Sequence, residues 1–324
     1  MAEVDGADLR PQLWELITLA RALAPSVAGG VRLALPGWHA DAAAEEASRA
    51  GADELHVLED ERLGEPWPEA HLEAVAGLCA ELEPEVVLAP RTVLGSEVAA
   101  RLAVRQGWAL IQDALEVELG AGGMHATRPV FGGAAVATVR APVGPWVVVP
   151  RPRAFAPAEP EAGARTEVVR HDLSLPALRT RCGSRTRLES SGPDLERASV
   201  VIAGGGGLGG PEPFALLREL ADLLEGAVGA SRPACDAGWV EPGLQIGLTG
   251  KTVAPDLYLA VAISGATQHL MGCSSSQVIV AVNSDPAAPI FRVANYGVVG
   301  DWQEVLPAFR DALRARQQPP GGAA

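Results

Sequence analysis

Twice along this chain, short apolar strand-forming runs alternate with amphipathic segments of helical period, and the second series begins afresh at Ser199. Strands separated by helix-length connections pair in parallel, whereas an antiparallel neighbour needs only a tight turn. The alternation therefore predicts an α/β protein of two domains, each a mostly parallel sheet covered by helices. In the first half the helical segments are 13–23, 42–50, 70–82 and 97–104, and the strands are 31–35, 54–58 and 85–89. Between 115 and 149 the texture becomes β-rich, with pieces at 127–131, 135–139 and 146–149 that could extend the first sheet. Residues 151–165 are rich in proline and alanine, as in a crossing segment without a core of its own. In the second half, strands are expected at 199–203, 257–261, 278–282 and 290–293, helices at 213–224 and 302–314, and a disordered tail over 317–324. A chain of 324 residues suits two domains, 1–185 and 186–324.

Charge and cysteine usage narrow the function classes. A formal net charge of -14 opposes a nucleic-acid or anionic-membrane surface, since phosphate binding needs a basic face. No apolar run approaches the ~18 residues of a membrane span. The acidic start MAEVDGADLRPQ lacks the basic and apolar regions of an export signal, so a cytoplasmic location is expected. Cys79, Cys182, Cys235 and Cys273 lie far apart, with no CxxC pair and no histidine at ligand spacing. Buried free thiols are expected, and neither a metal site nor a disulfide framework. No Ser/His/Asp set or carboxylate pair marks a catalytic centre, so no catalytic residue is assigned.

The residues that could carry chemistry cluster in the second half. Gly204 to Gly210, broken only by Leu208, follows a strand, precedes a helix and contains GxGxxG in two registers. In that context backbone amides and a helix N-terminus can receive a pyrophosphate without Cβ atoms in the way, although a plain flexible loop fits the same composition. Glu225 has nearly the spacing of a ribose-binding acid but ends a helix, which counts against an ordinary dinucleotide dehydrogenase. Further polar groups stand at Ser231-Arg232, in Gln245-Ile246-Gly247-Leu248-Thr249-Gly250-Lys251, in Ser264-Gly265-Ala266-Thr267-Gln268-His269, and at Asn283-Ser284-Asp285. Short hydroxyl and cationic groups between glycines, placed beyond strand ends, suit an anionic ligand. LTGKT is not a P-loop, because Gln245 stands where that motif needs glycine. Lys251 is the only lysine in the chain.

The order and spacing of these pieces are more specific than any one of them. VGASRPACDAGWV, LQIGLTGKTVAPDLYLAVAISGATQHLMG and VIVAVNSDPAAPIFRVANYGVVGDW together resemble the C-terminal domain of electron-transfer flavoprotein alpha subunits over about 199–310. The N-terminal half is similar more loosely, through ELITLARAL, VVLAPRTVLGSEVAARLA and RPVFGGAAVATVR. The resemblance implies a Rossmann-like FAD-binding domain over 186–324 and an adenine-nucleotide-hydrolase-like structural domain over 1–185 that contacts a partner. It implies an FAD-mediated electron shuttle between dehydrogenases and a quinone-linked acceptor of the respiratory chain, working as a heterodimer with a beta subunit.

Carried over residue by residue, the resemblance puts Ser231 and Arg232 near the flavin ring and the Thr249 hydroxyl, beside Gly247, near flavin N5. Ser264, Gly265, Ala266, Thr267, Gln268 and His269 would wrap the ribityl-pyrophosphate and pyrimidine side, and Asn283, Asp301 and Trp302 would hold the adenosine end. As cations near the pyrimidine edge, Arg232 and His269 would favour the reduced anionic flavin and raise its potential. The chain departs from the family at Gly206 (arginine), Leu248 (glutamine), Thr267 (isoleucine) and Asn295 (aspartate). These departures imply an altered flavin affinity or potential. Two other functions compete: an NAD(P)H-dependent flavin oxidoreductase using the glycine loop, and a non-redox heterodimer subunit that has lost FAD.

Overall fold

The computed structural model describes all residues except 7, 28, 134, 162–165, 184–193 and 318–324. The chain forms two compact units, residues 1–130 with 134–185, and residues 186–324 with 131–133. The position 185/186 lies outside the described residues.

In the first unit, β1 (Val4–Asp5) and β2 (Asp8–Leu9) pair with each other, and α1 (Gln12–Leu23) follows. Next come β3 (Arg32–Gly37), α2 (Asp41–Ala47), β4 (Glu54–Glu59), α3 (Pro68–Leu82), β5 (Val86–Leu88) and α4 (Val93–Gln106). The chain continues through β6 (Ala109–Ala114), β7 (Glu116–Gly120), β8 (Gly123–Val130), β9 (Ala135–Ala141), β10 (Trp146–Pro150) and β11 (Glu167–Asp172). The parallel strands make two three-stranded sheets, β11-β4-β3 and β5-β10-β6. Each strand's alternate residues face opposite layers: Val147 and Val149 of β10 pack with α3 and α4, while Trp146 and Val148 pack with α1.

The β-rich stretch extends the parallel sheet only through β10. Strands β7, β8 and β9 form a separate antiparallel sheet. Only Ala121 and Gly122 connect β7 to β8, and a connection that short can close nothing but an antiparallel pair. Strand β11 falls just beyond the proline-rich segment and pairs along the whole of β4. Three cysteines are buried as expected, but Cys182 is exposed.

The second unit is a single five-stranded parallel sheet. Its elements are β12 (Val200–Gly204), α5 (Phe214–Leu223), β13 (Ala227–Ala230), α6 (Arg232–Asp236), β14 (Leu257–Val261), α7 (Thr267–Cys273), β15 (Val278–Asn283), β16 (Tyr296–Val299) and α8 (Trp302–Gln317). The spatial order is β13-β12-β14-β15-β16 with every pair parallel. Period-two alternation again assigns the faces. Val201, Ala203, Tyr258, Ala260, Ile279 and Ala281 pack with α7 on one side. Ile202, Leu259, Val261 and Val282 pack with α5, α6 and α8 on the other. Gln317, expected in the tail, closes α8, and 318–324 lie outside the described residues.

The strand expected at 290–293 is a short 3-10 turn, Pro289–Arg292, and the edge strand is β16. Ile290 is fully buried and its N–H donates to the Ser264 carbonyl at 3.0 Å, which anchors the turn to the loop after β14 instead of to the ladder. Asn295 then starts the edge pairing: its N–H donates to the Ile279 carbonyl at 2.8 Å, and its Oδ1 accepts from the Ile279 N–H at 2.7 Å. An aspartate, the residue expected there from the family resemblance, offers the same acceptor. Asn295→Asp is therefore expected to keep the stability of the protein, whereas Asn295→Ala should lower it by about 1 kcal/mol in urea unfolding. Equal losses in the two variants would remove the acceptor role.

Candidate flavin site at the carboxyl edge of the five-stranded sheet

Counting strands from the start of the second unit, the spatial order is 2-1-3-4-5, so the chain leaves β12 on one side and enters β14 on the other. Open parallel sheets bind ligands at such a switch point, beyond the carboxyl ends of the strands. Every segment singled out in the second half, apart from the 245–251 loop, follows one of these ends. Gly205–Gly210 follows β12, Ser231-Arg232 follows β13, Ala262–His269 follows β14, Ser284-Asp285 follows β15, and Asp301-Trp302 follows β16.

The glycine loop is shaped by close backbone approach. The Gly205 N–H donates to the Val261 carbonyl at 2.9 Å and the Gly207 N–H to the Ala262 carbonyl at 3.3 Å, so the loop lies directly on the end of β14. A Cβ at Gly205 would collide with the Ala262 carbonyl, and Gly209 turns in the left-handed region at φ 80. At Gly206 a Cβ would have one close neighbour among the described residues, Cβ of Pro233 at 3.3 Å, so a side chain there needs only a small shift. The 245–251 loop is held in the same way. The Ile246 N–H donates to the Ala230 carbonyl at 2.8 Å and the Leu248 N–H to the Gln268 carbonyl at 2.8 Å, while Gly247 sits at φ 145 against α7.

Within this frame two buried polar atoms have no hydrogen-bond partner among the described residues, Oγ of Ser231 and Nδ1 of His269. Unpaired buried polar atoms cost roughly 1–3 kcal/mol each, so native proteins keep few of them, and a bound ligand is one of the explanations. Ser231 joins β13 to α6, with its N–H donating to the Gly204 carbonyl at 2.9 Å. His269, 7% exposed, lies on α7 with Nε2 2.8 Å from the hydroxyl of Tyr258. Ser264, Ala266, Thr267 and Gln268 stand exposed before it, and Gly265 is buried at φ 80 where a Cβ would strike the Ile290 backbone. A glycine-walled edge with a hydroxyl and an imidazole fits a phosphate-bearing heteroaromatic cofactor such as FAD.

Other expected site residues are brought to the same edge but spend their polar groups locally. Asn283 donates from Nδ2 to the Ile263 carbonyl at 2.9 Å and accepts at Oδ1 from the Asp285 N–H at 2.9 Å, tying two loops together. Asp301 accepts from the Gln303 N–H at 2.9 Å, and Trp302 packs on the α5 side of the core. Thr249 is exposed, with its hydroxyl accepting from Nε2 of Gln245 at 2.9 Å.

The electrostatics correct one expectation. Burial drives the His269 imidazole down to about 4, only partly offset by the nearby Ile246 carbonyl, so His269 is neutral at pH 7 and not the expected cation. Arg232 carries a permanent charge, 68% exposed and paired with Asp236 at 3.1 Å. Tyr258 is the residue that sequence reasoning passed over. A tyrosine within an aliphatic strand, buried on the helix-covered face, needs a partner for its hydroxyl, and that requirement is the signal that was present.

The comparisons with known proteins agree with this geometry. Residues 1–176 match the family model described as the electron transfer flavoprotein domain, and residues 194–274 match the electron transfer flavoprotein FAD-binding domain. The electron transfer flavoprotein subunit alpha of Bacillus subtilis (strain 168) is 36% identical, over 97% of this chain and 96% of its own. The chain belongs to the electron transfer flavoprotein alpha-subunit family. The subunit alpha of Mycobacterium tuberculosis (strain CDC 1551 / Oshkosh) is 40% identical, over 94% of this chain and 93% of its own. Protein FixB of Bradyrhizobium diazoefficiens is 37% identical, over 98% of this chain and 88% of its own. As in the family, the second unit of this electron transfer flavoprotein chain carries the FAD-binding domain, and its 194–274 span contains the glycine loop, Ser231 and His269.

A cavity of about 360 Å³ in the first unit is lined mainly by apolar residues of α1, α3, β3 and β5 and includes none of the site residues. No helix among the described residues is long and apolar enough to cross a membrane. No group of three or more His, Cys, Asp or Glu among them could hold a metal ion.

Because His269 is neutral when folded and its pKa is ordinary when unfolded, the unfolded state takes up the proton first as pH falls. Stability is unaffected above about pH 6.5 and declines as pH falls towards 4, by roughly 3 kcal/mol in all. In FAD-free protein, His269→Gln should remove this part of the acid sensitivity. Parallel losses for wild type and variant over that window would contradict the buried neutral imidazole.

Proposed function

We propose that the chain binds FAD along the carboxyl edge of the five-stranded sheet and works as the electron-carrying subunit of a heterodimer. The observation that carries this reading is the pair of unpartnered buried atoms, Ser231 Oγ and His269 Nδ1, at a glycine-walled edge. When bound, FAD supplies the redox chemistry. The protein's own residues bind, orient and tune. The Cβ-free surface of the Gly205–Gly210 loop and the polar run Ser264–Gln268 receive the phosphates and ribityl chain. Ser231, Thr249 and His269 address the ring with neutral hydrogen bonds, and Arg232 supplies a positive charge that favours electron uptake. Asn283 acts here by holding the loops, and Asp301 with Trp302 borders the adenosine end.

A beta subunit covers the ring, since a domain with a half-exposed flavin needs a docking surface, and the first unit, adenine-nucleotide-hydrolase-like in organisation, contributes to that interface. Dehydrogenases reduce the flavin and a quinone-linked respiratory acceptor reoxidises it, in the cytoplasm. Co-purification with a beta subunit should give a complex with visible flavin absorption and releasable FAD, reduced by a dehydrogenase with its substrate and not by NAD(P)H alone. A colourless complex that takes up no added FAD would remove the reading.

Gly206 leaves the phosphates without the arginine expected from the family resemblance. Gly206→Arg should restore one charge-assisted hydrogen bond and tighten FAD binding by ~1.5–3 kcal/mol, roughly 10-fold to 150-fold, in a titration followed by flavin fluorescence. Unchanged or weaker binding would show that the phosphates do not pass this loop.

A further inference from the structure

The buried contact between Tyr258 and His269 determines more than packing, and its consequence for the site rests on FAD binding at this edge. Tyr258 lies on β14 with its side chain fully buried, and its hydroxyl is 2.8 Å from Nε2 of His269. Cys273, one turn further along α7, also interacts with the phenol. The hydroxyl has one proton to donate and two possible acceptors. Thiol sulfur is a weak acceptor, whereas the unprotonated nitrogen of a neutral imidazole is a good one. The phenol proton therefore goes to Nε2, and the thiol is left to donate to the phenol oxygen. A neutral imidazole that accepts at Nε2 carries its proton on Nδ1, the ring nitrogen that is buried and unpartnered.

We propose that Tyr258 is a positioning residue for the flavin site, fixing His269 as the neutral Nδ1–H tautomer so that it offers the cofactor one N–H donor and no positive charge. A donor of this kind can serve only an acceptor atom, such as a carbonyl oxygen of the pyrimidine ring. The opposite tautomer would present a bare nitrogen and would reject the same atom. Tyr258 thereby selects which edge of a heteroaromatic ring the site accepts, without touching the ring.

The test reads the tautomer directly. Protein carrying 15N-labelled histidine, as the heterodimer and both FAD-free and FAD-loaded, gives the protonation of each His269 ring nitrogen from two-bond 1H–15N spectra, with His269→Gln assigning the signals. The expected result at pH 7 is protonated Nδ1 and bare Nε2 in both states. A protonated Nε2 in wild type overturns the proposal.

Tyr258→Phe should give a mixture of tautomers and weaken FAD binding about fivefold, the worth of one hydrogen bond. That effect should disappear in a His269→Gln background, because Tyr258 acts only through His269. Loss of affinity that persists in that background, or a tautomer unchanged by Tyr258→Phe, also overturns it. Failure of the flavin reading itself would show separately, as wild-type protein that takes up no FAD whatever the His269 tautomer.

Discussion

Parallel strands cannot be joined by tight turns, so each connection must carry the chain back across a face of the sheet, and every loop that leaves a carboxyl end lies on the same edge. In the second unit this constraint gathers five loops, distant in sequence, along one line. The 2-1-3-4-5 order then parts two of them, after β12 and β14, at the point where the connections diverge. The site is a consequence of strand order before it is a consequence of any particular side chain.

What makes that edge usable is the removal of side chains from it. Gly205, Gly247 and Gly265 each stand where a Cβ would meet backbone, and they let three loops close on one another. The polar groups that remain fall into two kinds. Asn283 and Asp301 satisfy the backbone and hold the loops. Ser231 and His269 keep atoms unsatisfied in a buried setting, a cost that the fold bears in the free protein and that a ligand can offset. Neutral His269 can offer this edge a hydrogen bond and no charge, while Arg232 is exposed and paired with Asp236.

Much of this was legible in the sequence. The aliphatic strands β12, β14 and β15 and the glycine run announced the sheet and its edge, because buried parallel strands leave continuous apolar runs. Other elements left no such trace. β13 consists of Ala, Val, Gly and Ala, too small to register as a strand, and is defined by pairing with β12. The segment 290–293 has the composition of a strand but is pulled into a turn by Pro289 and by burial of Ile290. β7 to β9 match a parallel extension in texture and differ only through the two-residue connection that makes them a hairpin. In the site, residue types were visible but protonation was not. That His269 is neutral depends on its burial and that its Nε2 is engaged depends on Tyr258, 11 positions away in sequence, and both are properties of three-dimensional packing.

Occupancy of the carboxyl edge of the five-stranded sheet by FAD is the central claim. Amide hydrogen exchange of the heterodimer, compared with and without FAD, measures this most directly, since bound cofactor slows exchange of the amides it covers. Protection should concentrate in 205–210, 231–232, 247–250 and 264–269, with the first unit's cavity segments, 13–34 and 75–88, unchanged. Protection confined to those cavity segments, or absent from the loops after β12 and β14, would contradict it.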